Sequence, residues 1–335
     1  MKLWFNAPGS SYLTSFWGVR EDLTRALRQR GVDVLDAPSS SLDVQINIGH
    51  PEPLRRTEAY YRRQAPLVAW YCVCEADRVP ESWGAVLDQM VDLVIVPSRF
   101  CAEAFRATGT SRPIHLVPHG VHPEEWPRVD RSKASRPWTF VWAGESYPVS
   151  RKNGAMVERA FLDLALPGTR LILKWTPLRA PEWVEGSFDR NGIRRVGEYW
   201  SRAQMADLYA KSDVLVWPSS GEGFGLPPIE AGATGLPVIA PAWGGPADYL
   251  DAEDCYLLRH AVTHAAAENF RADPRGCAAA IDRDHLKSLM ALTHDRWYEA
   301  RTMGEAFAER VRRDWTWDLA AEQLLSALER TPLHA

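Results

Sequence analysis

Apolar and polar positions alternate along this chain with two different periods. Short, largely apolar runs recur in the first half at Leu3–Phe5, Val32–Leu35, Val44–Ile48, Leu67–Cys74, Leu93–Val96 and Ile114–Val117. They continue in the second half at Thr139–Ala143, Leu171–Trp175, Val214–Trp217, Val238–Ala240 and Tyr256–Leu258. Runs this short, closed by Gly, Pro, Asn, Ser or a charged residue, predict strands buried on both faces. Between several of them the period changes to that of a helix: Val19, Leu23, Ala26 and Leu27 share one face. Further helices are predicted over 202–211, from near Ala155, from Leu226, over 282–311 and over 316–330, where Ala320, Leu324 and Leu328 stack beside Leu325. Strands that alternate with helices predict an α/β fold with doubly wound parallel sheets. Ligands in such sheets lie beyond the carboxyl ends of the strands, where His50, Glu75 and Asp77 stand.

Length divides this picture in two. At 335 residues the chain exceeds the size at which one core usually splits, and the charged, Ser- and Pro-bearing stretch 127–138 is the predicted linker. A net charge of −4 gives no whole-chain argument for nucleic acid or a membrane surface. No apolar run approaches the ~20 residues of a membrane span, and Met1 leads straight into a strand, so a soluble cytoplasmic protein without a transmembrane segment is expected. The five cysteines lack a disulfide-framework spacing; Cys72 and Cys74 flank Val73 on one strand and should bury as free thiols on one face.

The chemistry concentrates in residues 213–245. After the apolar run at Val214–Trp217 come a loop with Gly221, Gly223 and Gly225 and a helix start at Leu226-Pro227-Pro228. Prolines suit a first helical turn, whose N–H groups lack internal partners and carry the positive end of the dipole. A strand, a glycine loop and a helix N-terminus together can bind an anion. Two carboxylates, Glu222 and Glu230, stand there with seven residues between them.

The string EGFGLPPIEAGATGLPVIA resembles the donor-site signature of retaining glycosyltransferases of the GT-B fold, family four. YCVCEADRVPESW, VPSRFCAEAFRATG and VPHGVHPEEW are similar to segments of that family's first domain. The resemblance implies two Rossmann-like domains facing a central cleft, an acceptor-side domain over 1–130 and a nucleotide-sugar domain over 137–312. Residues 313–335 would return to the first domain as a closing helix. It also implies transfer of a hexose from a UDP- or GDP-sugar to a hydroxyl acceptor, with no metal requirement.

The same resemblance suggests roles for single residues. Glu230 would accept the ribose hydroxyls, while Glu222 and the main chain of Gly223, Phe224, Gly225 and Leu226 would read the sugar. Lys152 matches the family's diphosphate lysine, Lys174 is a second cation candidate, and Gly9 and Ser10 stand where the family has paired glycines beneath the phosphates. Glu145 occupies a place where the family often has Arg, and Arg151 is the nearest compensating cation. Glu75 and His50 complete the expected catalytic set from the acceptor side.

Residues 53–64 carry Arg55, Arg56, Arg62 and Arg63 around two tyrosines. On a helix, the i and i+7 pairs would share one side, either as a solvated face or as a grip on an anionic acceptor. A phosphorylated lipid or an anionic glycan fits such a grip, and a modified nucleic acid is the less favoured choice for an acidic chain. A sugar-nucleotide or glycan-binding protein without catalysis is the alternative from another class. The alanine-rich stretch 261–280 has no functional account at this level.

Overall fold

The computed structural model describes residues 1–7, 15–52, 61–131, 137–145, 151–176, 186–264 and 272–331. Its first half builds β1 (Lys2–Asn6), α1 (Ser15–Gln29), β2 (Asp33–Leu35), β3 (Val44–Ile48), β4 (Leu67–Tyr71), α2 (Glu81–Met90), β5 (Leu93–Val96), α3 (Arg99–Arg106) and β6 (Ile114–Leu116). The strands form one sheet in the order β2-β1-β3-β4-β5-β6, parallel throughout. Alternate residues divide between its faces as strand geometry requires. Leu67, Ala69 and Tyr71 face a core shared with α1, whereas Val68 and Trp70 face one shared with Trp83, Leu87 and Phe105.

The second half continues with β7 (Trp138–Glu145), α4 (Gly154–Leu164), β8 (Thr169–Thr176), β9 (Gly186–Arg190), β10 (Ile193–Gly197), α5 (Arg202–Ala210), β11 (Val214–Val216), α6 (Leu226–Ala233), β12 (Val238–Ala240) and β13 (Tyr256–Leu257). These strands make a sheet in the order β13-β12-β11-β7-β8-β10-β9, parallel except for the edge strand β9. Then follow β14 (His260–Thr263), β15 (Ala278–Ile281), α7 (Arg283–Asp295), α8 (Trp297–Asp314) and α9 (Trp317–Glu329).

The last helix crosses back to the first sheet. Trp317, Ala320, Ala321, Leu324 and Leu328 of α9 are buried with Leu23 and Leu27 of α1. Two main-chain bonds pin the crossing: Val121 N–H to the Trp315 carbonyl (3.0 Å) and Trp317 N–H to the Val121 carbonyl (3.1 Å). Gly120 permits it, because a Cβ there would lie 2.2 Å from the Thr316 carbonyl carbon. His119 beside it is wedged among Tyr71, Phe224 and Trp317, and burial drives its pKa down to about 3. A neutral scaffold imidazole therefore joins the first sheet, the glycine loop and the closing helix.

Several expectations need correction. The strand foreseen over 67–74 ends at Tyr71, with a last bond from the Cys72 N–H to the Ile95 carbonyl (2.8 Å), although Cys72 and Cys74 do bury on one face. The single helix expected over 282–311 breaks at Arg296, whose ψ of 46° leaves the helical region, and α8 runs on to Asp314. In the basic segment, residues 53–60 lie outside the described residues, and 61–64 are not helical. Arg63 bonds Asp92 (2.8 Å) and the Pro66 carbonyl (2.9 Å), which ties it to the starts of β4 and β5. Alternation could not reveal β9, β14 or β15, since all three sit at sheet edges and β15 is alanine-rich as well.

One packing contact fixes how α6 meets α8. Gly232 faces Phe307, and a Cβ there would fall 2.4 Å from the ring carbon Cε1 of a fully buried side chain. Helix propensity favours Ala over Gly by ~1 kcal/mol, while overpacking a filled core costs about 1–3 kcal/mol. We expect Gly232→Ala to lower the denaturation midpoint, and an equal or higher midpoint would show that Phe307 can yield.

Candidate active site

The glycine loop is held by main-chain contacts that only glycine allows. Gly225 precedes α6 with φ 87°, and a Cβ on it would stand 2.7 Å from Trp217 Cη2 and 3.0 Å from the Tyr249 hydroxyl. That hydroxyl donates to the Gly225 carbonyl at 2.6 Å. A Cβ on Gly245 would meet the Gly223 carbonyl oxygen at 2.2 Å, so a second glycine pair braces the loop from behind. The first half supports it as well: Ser98 Oγ donates to the Gly223 carbonyl at 2.7 Å. Phe224 turns its ring inward against His119, Tyr249 and Trp315, which leaves its main chain to line the loop. Leu226 packs against the cores of both sheets.

Beside this loop the turn after β7 brings charge. The Ser220 N–H donates to the Arg151 carbonyl (2.8 Å), and Asn153 Nδ2 bonds the Pro218 carbonyl (2.9 Å) and Ser220 Oγ (2.8 Å). The knitted turns place Arg151 Nη1 on Glu222, and Lys152 Nζ lies 3.3 Å from the same carboxylate. Ser219 Oγ donates to Glu222 at 2.7 Å. The other Arg151 nitrogen, Nη2, faces Glu145 at 3.5 Å and Glu75 at 3.6 Å, the latter from the first half of the chain. Three carboxylates thus surround two cations, all partly or wholly withdrawn from water.

Charge states follow from that crowding. Burial alone would push the Glu222 carboxyl up, but Arg151, then Lys152 and the Ser219 bond, outweigh it and hold the pKa below the ordinary value. Burial opposes the charge on Arg151, yet Glu222, Glu75 and Glu145 together raise its pKa. Glu75 lacks so close a cation. Burial lifts its pKa, Arg151 pulls against that, and the neighbouring Glu222 and Glu145 add to the rise. The arrangement can hold an anion on Arg151 and Lys152 and offer a hydroxyl two carboxylates of unequal basicity.

Glu230 lies one turn into α6, partly buried. Burial raises its pKa to about 7, with Arg202 and Lys152 pulling it down and Asp22 and Glu125 pushing it up. Arg202, which begins α5, grips Asp22 of α1 and reaches Glu125 at 2.8 Å, so a second charge network spans the two halves near Glu230. None of Ser98, Ser219, Asn153, Tyr249 or Arg202 was legible as a site residue. Ser219 acts through a local bond to Glu222, and the other four through long-range contacts that spacing does not encode.

The remaining candidates fall elsewhere. Gly9 and Ser10 lie outside the described residues. His50 is set between Phe16 and Trp83, with ring centroids 5.2 and 5.4 Å away. Lys174 is buried and donates to the main-chain carbonyls of Glu198 (2.7 Å) and Trp175 (3.2 Å), 5.4 Å from the Trp200 ring centroid. Burial lowers its pKa to about 8, with Glu198 opposing. Among the described residues no three His, Cys, Asp or Glu side chains converge as a metal site. The Asp-x-Asp at 282–284 is a helix start, in which Asp282 caps α7 by accepting from the His285 N–H at 2.9 Å. No helix among the described residues is long and apolar enough to cross a membrane.

Comparison with known proteins bears on this geometry. Residues 123–272 match the family described as "Glycosyl transferases group 1". A GDP-mannose-dependent alpha-mannosyltransferase of Mycobacterium tuberculosis is 27% identical over 253 residues, 70% of this chain and 62% of that protein. A D-inositol 3-phosphate glycosyltransferase of Kineococcus radiotolerans is 42% identical over 43% of this chain and 30% of its own length. The chain therefore spans less than two thirds of these curated relatives. In structure, Anabaena HepE, solved with UDP and glucose, superposes with a TM-score of 0.68 at 14% identity, covering 98% of this chain and 99% of that one. The sucrose-phosphate synthase of Thermosynechococcus elongatus gives 0.64 at 18% identity, with 98% of each chain covered.

The raised pKa of Glu230 has a thermodynamic consequence. Between the ordinary carboxyl value of 4.5 and about 7 the folded chain holds a proton that the unfolded chain has lost. Stability contributed by this group is thus full below 4.5 and falls as pH rises through about 7. Glu230→Gln should be more stable than wild type at pH 8, by roughly 1–3 kcal/mol, with the gap closing towards pH 4.5. Parallel unfolding curves at all pH values would mean the carboxyl is ordinary.

Proposed function

We propose, for a chain that has the GT-B fold and belongs through residues 123–272 to the glycosyl transferases group 1 family, that it moves a hexose from a UDP- or GDP-sugar to a hydroxyl acceptor with retention of anomeric configuration. The observation that carries this reading is the meeting of Arg151 and Lys152 with Glu222 on the glycine loop, faced across the cleft by Glu75. A diphosphate leaving group accumulates negative charge as the glycosidic bond breaks. Cations already fixed where that charge grows stabilise the transition state without further reorganisation.

In this reading the donor diphosphate settles on Lys152, Arg151 and the first-turn N–H groups of α6, and a metal is not required. Glu222 releases the cations and turns to the sugar hydroxyls, together with the main chain of Gly223, Phe224, Gly225 and Leu226. Glu230, once ionised, accepts both ribose hydroxyls. Glu75 receives the acceptor hydroxyl from the side of residues 1–130, while 137–312 hold the donor. Attack on the sugar face that the diphosphate leaves lets a departing phosphate oxygen take the acceptor proton. The relatives named above include a GDP-mannose-dependent enzyme and a structure with UDP and glucose, which supports a nucleotide-sugar donor. For the acceptor, a glycan or lipid-linked anion remains the reading. It draws less on the basic segment than sequence suggested, since Arg63 is tied to Asp92.

A thermal-shift panel of nucleoside diphosphates and their sugars tests the donor assignment, because a ligand stabilises the native state in proportion to its occupancy. At least one UDP- or GDP-sugar should raise the midpoint, and silence across the panel would remove the reading. Two variants separate the roles. Lys152→Ala should lower turnover by about 10²-fold, the scale of losing one transition-state charge contact, and weaken diphosphate binding more than nucleoside binding. Glu222→Gln frees the cations, so it should bind free nucleoside diphosphate at least as tightly as wild type yet lose sugar transfer. Equal losses of nucleoside and diphosphate affinity in both variants would point to misfolding instead.

A further inference from the structure

The alanine-rich stretch ahead of α7 acquires a role from its hydrogen bonds. Strands β14 and β15 pair antiparallel, with Ala261 opposite Ala280 and Val262 opposite Ala279. The chain entering β15 then leaves its own sheet and reaches the first half. Cys277 N–H donates to Asp77 Oδ1 at 2.6 Å, and Asp77 N–H donates back to the Cys277 carbonyl at 3.3 Å. Asp273 N–H adds a bond to the Arg78 carbonyl (3.2 Å), and Arg275 pairs with Glu81 (2.6 Å). Two residues past Cys277, the Ala279 N–H donates to the Ser220 carbonyl at 2.8 Å.

One extended segment is therefore bonded to a loop of each half. Residues 277 and 279 of a strand are separated by about 7 Å. Their partners, Asp77 and Ser220, each stand two positions from a carboxylate that Arg151 bridges, Glu75 in one case and Glu222 in the other. The alanines explain how the approach is made. Ala278 and Ala279 are fully buried, Ala278 clusters with Ala76, and short side chains let the strand backbone lie against both loops.

From this we infer that β15 is a clasp that sets the span between Glu75 and Glu222, and that Asp77 is the positioning residue through which it holds the acceptor side. The inference rests on the reading of the Glu75–Arg151–Glu222 cluster as the transfer site. Asp77 touches no substrate in that reading. It acts by keeping Glu75 at the distance from the donor loop at which an acceptor hydroxyl reaches the sugar. Displacement of about 1 Å at such a point lowers rates by up to ~10²-fold.

The test compares Asp77→Ala with Asp77→Asn in the full chain. Asn keeps a side-chain oxygen to accept from the Cys277 N–H, whereas Ala removes it. Asp77→Ala should lose about 10- to 100-fold in transfer kcat with nucleoside diphosphate affinity within about twofold of wild type, and Asp77→Asn should restore transfer. Hydrogen exchange gives a readout independent of activity. In Asp77→Ala the Ala279 amide should exchange faster, since it shares a strand with the released Cys277 amide. Unchanged transfer by Asp77→Ala, or a loss of nucleotide affinity matching the loss of kcat, overturns the positioning role. If the wild type transfers no sugar, the functional reading fails by itself. Exchange at Ala279 then decides the clasp, with acceleration in Asp77→Ala supporting it and no change overturning it.

Discussion

Arg151 is the point on which the two halves and the glycine loop depend. Its guanidinium meets Glu222 and the Gly221 carbonyl through one nitrogen and faces Glu75 and Glu145 through the other. A planar, permanently charged fork suits that task, because it addresses acceptors in two directions at once. Without it, three partly buried carboxylates would face each other with Lys152 as their nearest partner. Such a site relieves itself by taking up protons or by opening to water.

Much of the fold was legible because the sheets are parallel and buried. Leu93–Val96 is apolar throughout, Val44–Ile48 is fully buried with Gln45 and Asn47 bonded to each other (2.8 Å), and the ends of both strands came out within a residue. Elements whose pattern is blurred by edges or small residues were missed. β9 is an antiparallel edge, and β15 is a run of alanines whose function is close backbone approach, which hydrophobic periodicity cannot register. The break at Arg296 was hidden for a different reason. The apolar stripe continues through it into α8, so only the local dihedral angles mark the division.

Residues of the candidate site divided along the same line. Glu222 and Glu230 were visible because their separation and the intervening glycines are local features. Glu145 looked like a departure from the family pattern, and in space it proves to be one of the carboxylates around Arg151, so the two positions form a single electrostatic unit. The contributions of Ser98, Asp77 and Arg202 bring distant parts of the chain together. No spacing rule joins residue 98 to 223 or residue 77 to 277.

The balance of charge in the cluster constrains how any anionic donor can enter. Glu75, Glu145 and Glu222 against Arg151 and Lys152 leave a formal excess of one negative charge. Adding a diphosphate to that set without rearrangement would place like charges within a few ångströms in a site of reduced dielectric, where their repulsion is far stronger than in water. Two adjustments remove the conflict. Glu222 can exchange its cation partners for hydroxyl groups, and Glu75, whose pKa is raised by burial and by the neighbouring carboxylates, can take a proton. In the proposed reading, either one ties occupation of the donor side to a change on a carboxylate assigned to the sugar or the acceptor. A buried ion pair contributes little net stability, because desolvation offsets most of its attraction. In the proposed reading its value lies in the coupling: the cations become available to a diphosphate when Glu222 finds hydroxyls to bind in their place.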